Sequence, residues 1–313
     1  MHETNHSTFQ SIKLISLDSY FNELVNLYES NSFPKVLLLS GKKGIGKFTL
    51  IFHFLNYVYS KKEKTKYNVE KKLINLDSIF YNSILSHTSR DVIFLEGVKG
   101  KDTKIEDVRS LKSTLSKSSL SDGPRFTIID EVEFLNNNSA NALLKTLEEP
   151  TKNNYFILIN NQQTDLIKTI SSRCLKNNIY LKEDQRKKII NYFIENKKMY
   201  SSIEDDVNLT PGLALRYDEI YFKYKIQVKD DIQIKLNKLL HAFKKDKNKN
   251  LINMSLFLTE SFFYNLVKEN VNNIDFLLTL KSTIVNKIID FRKYNLNINS
   301  VLTEIEFKLK NAR

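Results

Sequence analysis

Two clusters of residues have the types and spacing that phosphate chemistry needs. The first is Gly41-Lys42-Lys43-Gly44-Ile45-Gly46-Lys47, which holds three of the chain's seven glycines. Glycines let a backbone turn its N–H groups toward phosphate oxygens, and a helix that starts there adds positive potential. Lys47 is then the ammonium that reaches the phosphates. The second cluster is Asp130-Glu131, which ends the apolar run Phe126-Thr127-Ile128-Ile129. There the first acid can hold Mg²⁺, directly or through water, and the second can orient an attacking water. An apolar run followed by acids also suits a plain strand, turn and helix, so this cluster alone decides nothing. The glycine-rich stretch departs from its pattern at one position. The residue after the lysine should be Ser or Thr, whose hydroxyl ligates Mg²⁺. Here it is Phe48, with Thr49 one place late. One residue along a helix turns a side chain by about 100°. Thr49 is therefore a candidate contact at the helix start but no direct substitute.

The elements around these clusters are the ones such a site requires. Residues 11–31 read as a helical leader, with Leu17, Phe21, Leu24 and Val25 among its apolar positions. Pro34 separates it from the buried-strand candidate Lys35–Leu39, and an apolar helix over Thr49–Tyr59 follows the glycine loop. Lys61–Lys72 is a polar connection, followed by a helix to about Ser86 and a strand over Asp91–Glu96. Asp102 or Thr103 is positioned to cap a helix whose apolar face is Ile105, Val108, Leu111 and Leu115. After the strand Arg125–Asp130, Ser139 is the candidate N-cap of a helix. Its apolar face is Ala140, Leu143, Leu144 and Leu147, and Pro150 closes it. Asn154–Ile159 is a further strand, ending in Asn160 and Asn161. A helical turn over Asp165–Thr169 leads to Ser171-Ser172-Arg173-Cys174, and Tyr180 ends the last strand. Strands thus alternate with helices from Pro34 to about Tyr180, which predicts an α/β domain with a mostly parallel sheet. Loop ligands then collect at the carboxyl ends of the strands, where Gly46–Lys47, Asp130–Glu131 and Asn160 all fall. From Asp184 onward the pattern is helical throughout. The expected division is an α/β domain over 1–181, a small helical lid over 182–222 and an all-α domain over 223–313. No internal repeat is evident.

Composition narrows the classes further. The 313 residues carry a formal net charge of +12 and one cysteine, Cys174. A single cysteine excludes an internal disulfide framework and any Cys-based zinc module. It suits a reducing compartment, and no window is long and apolar enough to span a bilayer. The expectation is a cytoplasmic protein with no membrane partner. The charge admits a polyanionic partner but equally describes a solvated Lys-rich surface. Lys244–Asn250, KKDKNKN, reads as a solvated break between helices, since no aromatic residue is interleaved for stacking on bases.

Four stretches together carry a family likeness. They are GKKGIGK at Gly41–Lys47, IIDEVEFLNNNSANALLKTLEEP at Ile128–Pro150, FILINN at Phe156–Asn161, and SSRC at Ser171–Cys174. The chain resembles the clamp-loader branch of AAA+ proteins, with NALLKTLEEP followed at this distance by SRC as the most specific element. That resemblance implies an AAA+ P-loop domain, a helical lid and a helical collar through which subunits assemble. It implies that Gly41, Gly44, Gly46 and Lys47 form the Walker A loop, Asp130 and Glu131 Walker B, and that Asn160 lies near sensor 1. It implies that Arg173 is an arginine finger offered in trans to ATP on a neighbouring subunit. Three features depart from the family pattern. Phe48 replaces the Mg-ligating hydroxyl. Leu213 stands where sensor 2 often has an ATP-contacting Arg, with Arg216 three residues on. The family's four-cysteine zinc module is absent. The implied protein is a non-hydrolysing subunit of the DNA polymerase III clamp loader, with a degenerate site for ATP or ADP, no metal and no zinc. Its implied partners are the motor and delta-like subunits and, through the complex, the sliding clamp and primer-template DNA. The alternative is the ATP-hydrolysing motor subunit of the same loader.

Overall fold

The computed structural model describes residues 11–96, 105–116, 123–151, 153–196, 199, 209–269 and 273–312. Five strands form one sheet: β1 (Val36–Ser40), β2 (Val92–Glu96), β3 (Arg125–Asp130), β4 (Asn154–Asn160) and β5 (Leu175–Asn178). Their order is β2-β3-β4-β1-β5, and every pairing is parallel. Parallel neighbours need crossover connections, and helices supply them: α2 (Lys47–Ser60) and α3 (Ile79–Leu85) after β1, α4 (Ile105–Ser116) after β2, α5 (Asn137–Glu148) after β3 and α6 (Lys168–Ser171) after β4. The candidate caps Asp102 and Thr103 of α4 lie outside the described residues.

Helices on both faces explain why the strands are apolar at nearly every position. Side chains alternate across β1, so Leu37 and Leu39 join one core and Val36 and Leu38 the other. The first core seats α1 (Asp18–Glu29) and α2 through Phe21, Leu24, Phe52, Phe54 and Leu55. The second seats α4 and α5 through Val108, Leu111, Leu143 and Leu147. Helix α5 starts earlier than its sequence suggests. Its N-cap is Asn136, whose side chain accepts the Ser139 N–H at 2.8 Å, and Ser139 itself is buried inside the helix.

The chain divides into two compact units, Met1–Ile190 with Thr210–Gly212, and Asn191–Leu209 with Leu213–Arg313. Helix α7 (Glu183–Glu195) runs through the division after Ile190, and helix α8 (Pro211–Lys223) through the one after Gly212. The second unit is built on α9 (Ile232–Asp246), α10 (Lys249–Glu269), α11 (Ile274–Tyr294) and α12 (Ile298–Ala312). Each of these packs on the next, and α12 returns to α9. Leu236, Leu239, Leu240, Leu251, Ile284, Ile288, Val301 and Ile305 are all buried on these helices. The polar break expected over Lys244–Asn250 is short. Helix α9 runs to Asp246 and α10 begins at Lys249, with Lys247 turning in the left-handed region at φ 52°.

Candidate functional site

The glycine loop joins β1 to α2 at the carboxyl edge of the sheet. Gly44 and Gly46 have φ of 83° and 95°, in the left-handed region that a side chain would strain. Gly41 is needed for a different reason. A Cβ there would stand 2.4 Å from the Ile179 carbonyl oxygen. The carbonyls of residues 41–44 are all engaged. Lys47 Nζ donates to Gly41 O at 2.6 Å and to Lys42 O at 2.8 Å. Thr210 Oγ1 donates to Lys43 O at 2.7 Å, and the Gly212 N–H donates to Gly44 O at 2.8 Å. In a trans peptide the N–H points away from the carbonyl. Fixing the carbonyls therefore sets the directions of the amides that would meet a phosphate.

Lys47 is buried, and burial pushes its ammonium down to about 8; Asp130 and then Glu133 hold it up against that loss. Phe48 is half-buried. Its ring lies 5.8 Å from that of Phe94 on β2 and joins the first core. The position that would offer a metal-ligating hydroxyl is thus part of an apolar cluster. Thr49 is half-buried in the first turn of α2.

The acids sit two strands away from the loop. Asp130 ends β3, and its Oδ1 accepts the Glu131 N–H at 2.7 Å and Asn161 Nδ2 at 3.2 Å. Glu131 is held at φ 52° and forms an ion pair with Lys43 of the glycine loop. Asn160 ends β4 in register with Ser40, and its Nδ2 donates to Ser40 Oγ at 3.2 Å. Gly41, Gly44, Gly46, Lys47, Asp130, Glu131 and Asn160 therefore converge at the carboxyl ends of three adjacent strands. Two residues not singled out from sequence complete the cluster. Buried Glu133 takes the Asn161 N–H on both carboxylate oxygens, at 3.1 and 3.2 Å, and desolvation raises its pKa. Lys43 is the other. The third acid of the DEVE run and the second lysine of GKKG were the available signals, but neither has a diagnostic spacing.

Arg173 is not part of this cluster. It follows α6 and precedes β5, whose Leu175 pairs with Leu37 near the start of β1. Since the strands are parallel, Arg173 lies at the amino edge of the sheet. The glycine loop is at the other edge, a four-residue strand or ~13 Å away. Its Nε and Nη2 pair with Glu148 Oε1, both at 2.5 Å, and its Nη1 donates to Thr169 O at 2.8 Å. In the second unit, Arg216 Nη1 donates to Asn250 Oδ1 at 3.3 Å. Among the described residues no group of three or more His, Cys, Asp or Glu side chains forms a metal-binding cluster. Among them, too, no helix is long and apolar enough to cross a membrane.

Comparison with known proteins follows this geometry. A family profile described as DNA polymerase III, delta subunit, matches residues 17–183. DNA polymerase III subunit delta' of Haemophilus influenzae is 36% identical over 89 residues, 28% of this chain and 27% of that protein. Its counterpart in Yersinia pestis is 30% identical over 159 residues, 50% of this chain and 45% of that protein. The matched stretch thus spans less than half the length of these relatives. A gamma subunit-related protein of DNA polymerase III from Thermotoga maritima superposes with a TM-score of 0.50 at 18% identity, covering 93% of this chain and 99% of that one. That likeness concerns the fold alone. Glycine loop, acids and parallel sheet define a P-loop α/β protein. Within that class, the chain belongs to the DNA polymerase III delta-subunit family, and its relatives there include delta' subunits.

Proposed function

We propose that this chain is a non-hydrolysing subunit of a cytoplasmic clamp loader, one that lends Arg173 to ATP held by a neighbouring subunit. The observation that carries this reading is the place of Arg173. It is an exposed guanidinium at the sheet edge opposite its own glycine loop, so it cannot reach its own site. Its pairing with Glu148 is no obstacle. An exposed ion pair contributes about 0–1 kcal/mol, far less than a developing γ-phosphate charge returns to an arginine in a dry site. Phe48 supports the other half of the reading, because its ring is packed on Phe94 where a metal ligand would be needed.

Residues 41–47 fit a nucleotide's phosphates, with Lys47 as the cation and Asp130 and Asn160 alongside. A bound ATP or ADP would supply charge and shape to this site; the chain's residues would orient it. In this reading residues 182–222 act as a lid and 223–313 as a collar that assembles with motor and delta-like subunits. The sliding clamp and primer-template DNA are engaged through that complex.

The test is reconstitution of the loader with Arg173→Ala or Lys47→Ala in this chain. Arg173→Ala should lower DNA-stimulated hydrolysis at the neighbouring site by about 10³-fold, the lower range for a lost arginine finger. Lys47→Ala should leave clamp loading intact. If Lys47→Ala abolishes loading while Arg173→Ala is silent, the chain is a motor subunit instead.

A further inference from the structure

The ion pair between Lys43 and Glu131 spans the glycine loop and the acid pair, and nothing in the reading above uses it. We propose that this pair is a self-inhibitory latch that closes the chain's own phosphate nest to nucleotide polyphosphates. The proposal rests on residues 41–47 being such a nest, but not on the role of Arg173. Three observations support it. First, Lys43 is held from both sides. Its carbonyl accepts Thr210 Oγ1 at 2.7 Å, while its ammonium is tied to Glu131. Second, Glu131 is placed for the pair rather than for a water. It sits in the left-handed region at φ 52°, with its N–H on Asp130 Oδ1 at 2.7 Å and its side chain largely buried. Holding a non-glycine residue there is strained, and the neighbouring contacts must offset that strain. Third, the balance of charge is unfavourable for an anion. Lys43 and Lys47 face Asp130, Glu131 and Glu133, so two cations meet three acids. While the latch is shut, Lys43 is neutralised by Glu131. Lys47 is turned onto the carbonyls of Gly41 and Lys42. An incoming diphosphate then finds amides but neither the Lys43 nor the Lys47 ammonium, beside a carboxylate that repels it.

The neighbouring strap keeps the loop from yielding in another direction. Gly212 donates to Gly44 O at 2.8 Å, and a Cβ at Gly212 would stand 2.9 Å from Gly44 Cα. The loop is thus backed by chain, and the Lys43 side chain is the part free to swing once Glu131 releases it.

Calorimetric titration of the full-length chain with ADP, in EDTA and separately in Mg²⁺, tests the latch. Glu131→Gln should bind ADP at least about tenfold more tightly than the wild type, a gain of about 1.4 kcal/mol. The same substitution in a Lys43→Met background should gain less than about threefold, because the released ammonium is gone. Glu131→Asn is the second variant, since Asn tolerates the left-handed backbone better than Gln. Thermal melts confirm that each variant is folded. Wild-type binding as tight as that of Glu131→Gln overturns the latch, as does a gain that survives Lys43→Met. Absence of binding in every folded variant overturns it too, since the site would then be lost rather than gated. None of these results bears on Arg173, whose effect is read at the neighbour's site.

Discussion

Acidification should destabilise the first unit through one buried histidine. His53 lies on α2, the helix that begins with Lys47, and is fully buried. Its Nε2 is 2.9 Å from the Ser11 carbonyl, which can only accept, so Nε2 carries the proton. Nδ1 then accepts from the Tyr67 hydroxyl at 2.9 Å. Burial pushes the imidazole from 6.5 down to about 4, with the Ser11 carbonyl opposing the shift. The folded-state pKa is below the unfolded one, so between the two values the unfolded chain binds more protons. The contribution is therefore fully present above pH 6.5 and is lost as pH falls toward about 4. At about 1.4 kcal/mol per unit, the full effect is about 3 kcal/mol, of which about 2 kcal/mol is lost between pH 7 and pH 5. Other groups titrate in the same window, and Glu133, whose pKa burial raises, opposes the trend. The assay is therefore a difference. Urea unfolding of wild type and His53→Gln is compared at both pH values, Gln being able to donate to Ser11 and accept from Tyr67 without titrating. The wild type should lose about 2 kcal/mol more than the variant over that interval. Equal losses in the two proteins would refute the assignment of the effect to His53.

Two further substitutions probe the frame of the site. Glu133→Leu leaves the buried Asn161 N–H without its acceptor and should cost about 1–3 kcal/mol in urea unfolding. Glu133→Gln, which keeps an oxygen there, should cost clearly less, and equal costs would argue against the Asn161 contact. Gly41→Ala places a methyl 2.4 Å from the Ile179 carbonyl and 2.8 Å from Ile45 Cδ1. The expected cost is about 1–3 kcal/mol in thermal unfolding, with no backbone-torsion component because φ at Gly41 is not positive. A neutral Gly41→Ala would show that β5 and the loop separate at no cost.

Much of this architecture was legible because its signals are local. The apolar runs of β1, β3 and β4 have strand length and lie between turn residues. The glycine loop has a spacing that few other structures require. The start of α5 was misplaced because four consecutive polar residues, Asn136 to Ser139, can each act as a cap. Ser139 is buried inside the helix, and its N–H is the one that the Asn136 cap accepts. The long-range pairs at the two edges of the sheet were not legible at all. Lys43 with Glu131, Glu133 with Asn161, and Arg173 with Glu148 join residues 88, 28 and 25 positions apart. Such pairs have no periodicity, because the folding of the sheet alone makes them neighbours.

The same distances separate what the site retains from what it has lost. A P-loop that only needed to fold would have no reason to bury an ammonium, since desolvation weakens Lys47's hold on its proton. Asp130 and Glu133 meet part of that cost from positions far along the chain from the loop. The retained lysine and acids therefore support one another structurally as well as chemically. This gives a physical reason for all three to persist beside Phe48, which has removed the hydroxyl that metal-assisted chemistry would use. Loss of the metal ligand costs the fold nothing, because the Phe48 ring gains an apolar neighbour in Phe94. Loss of Lys47 would strip the Gly41 and Lys42 carbonyls of their ammonium donor, and Asp130 and Glu133 of a facing cation. A site can thus shed hydrolysis while keeping its charges. On that argument Lys47→Ala touches only this chain's own loop, and the Arg173 edge is where a defect in loading is expected.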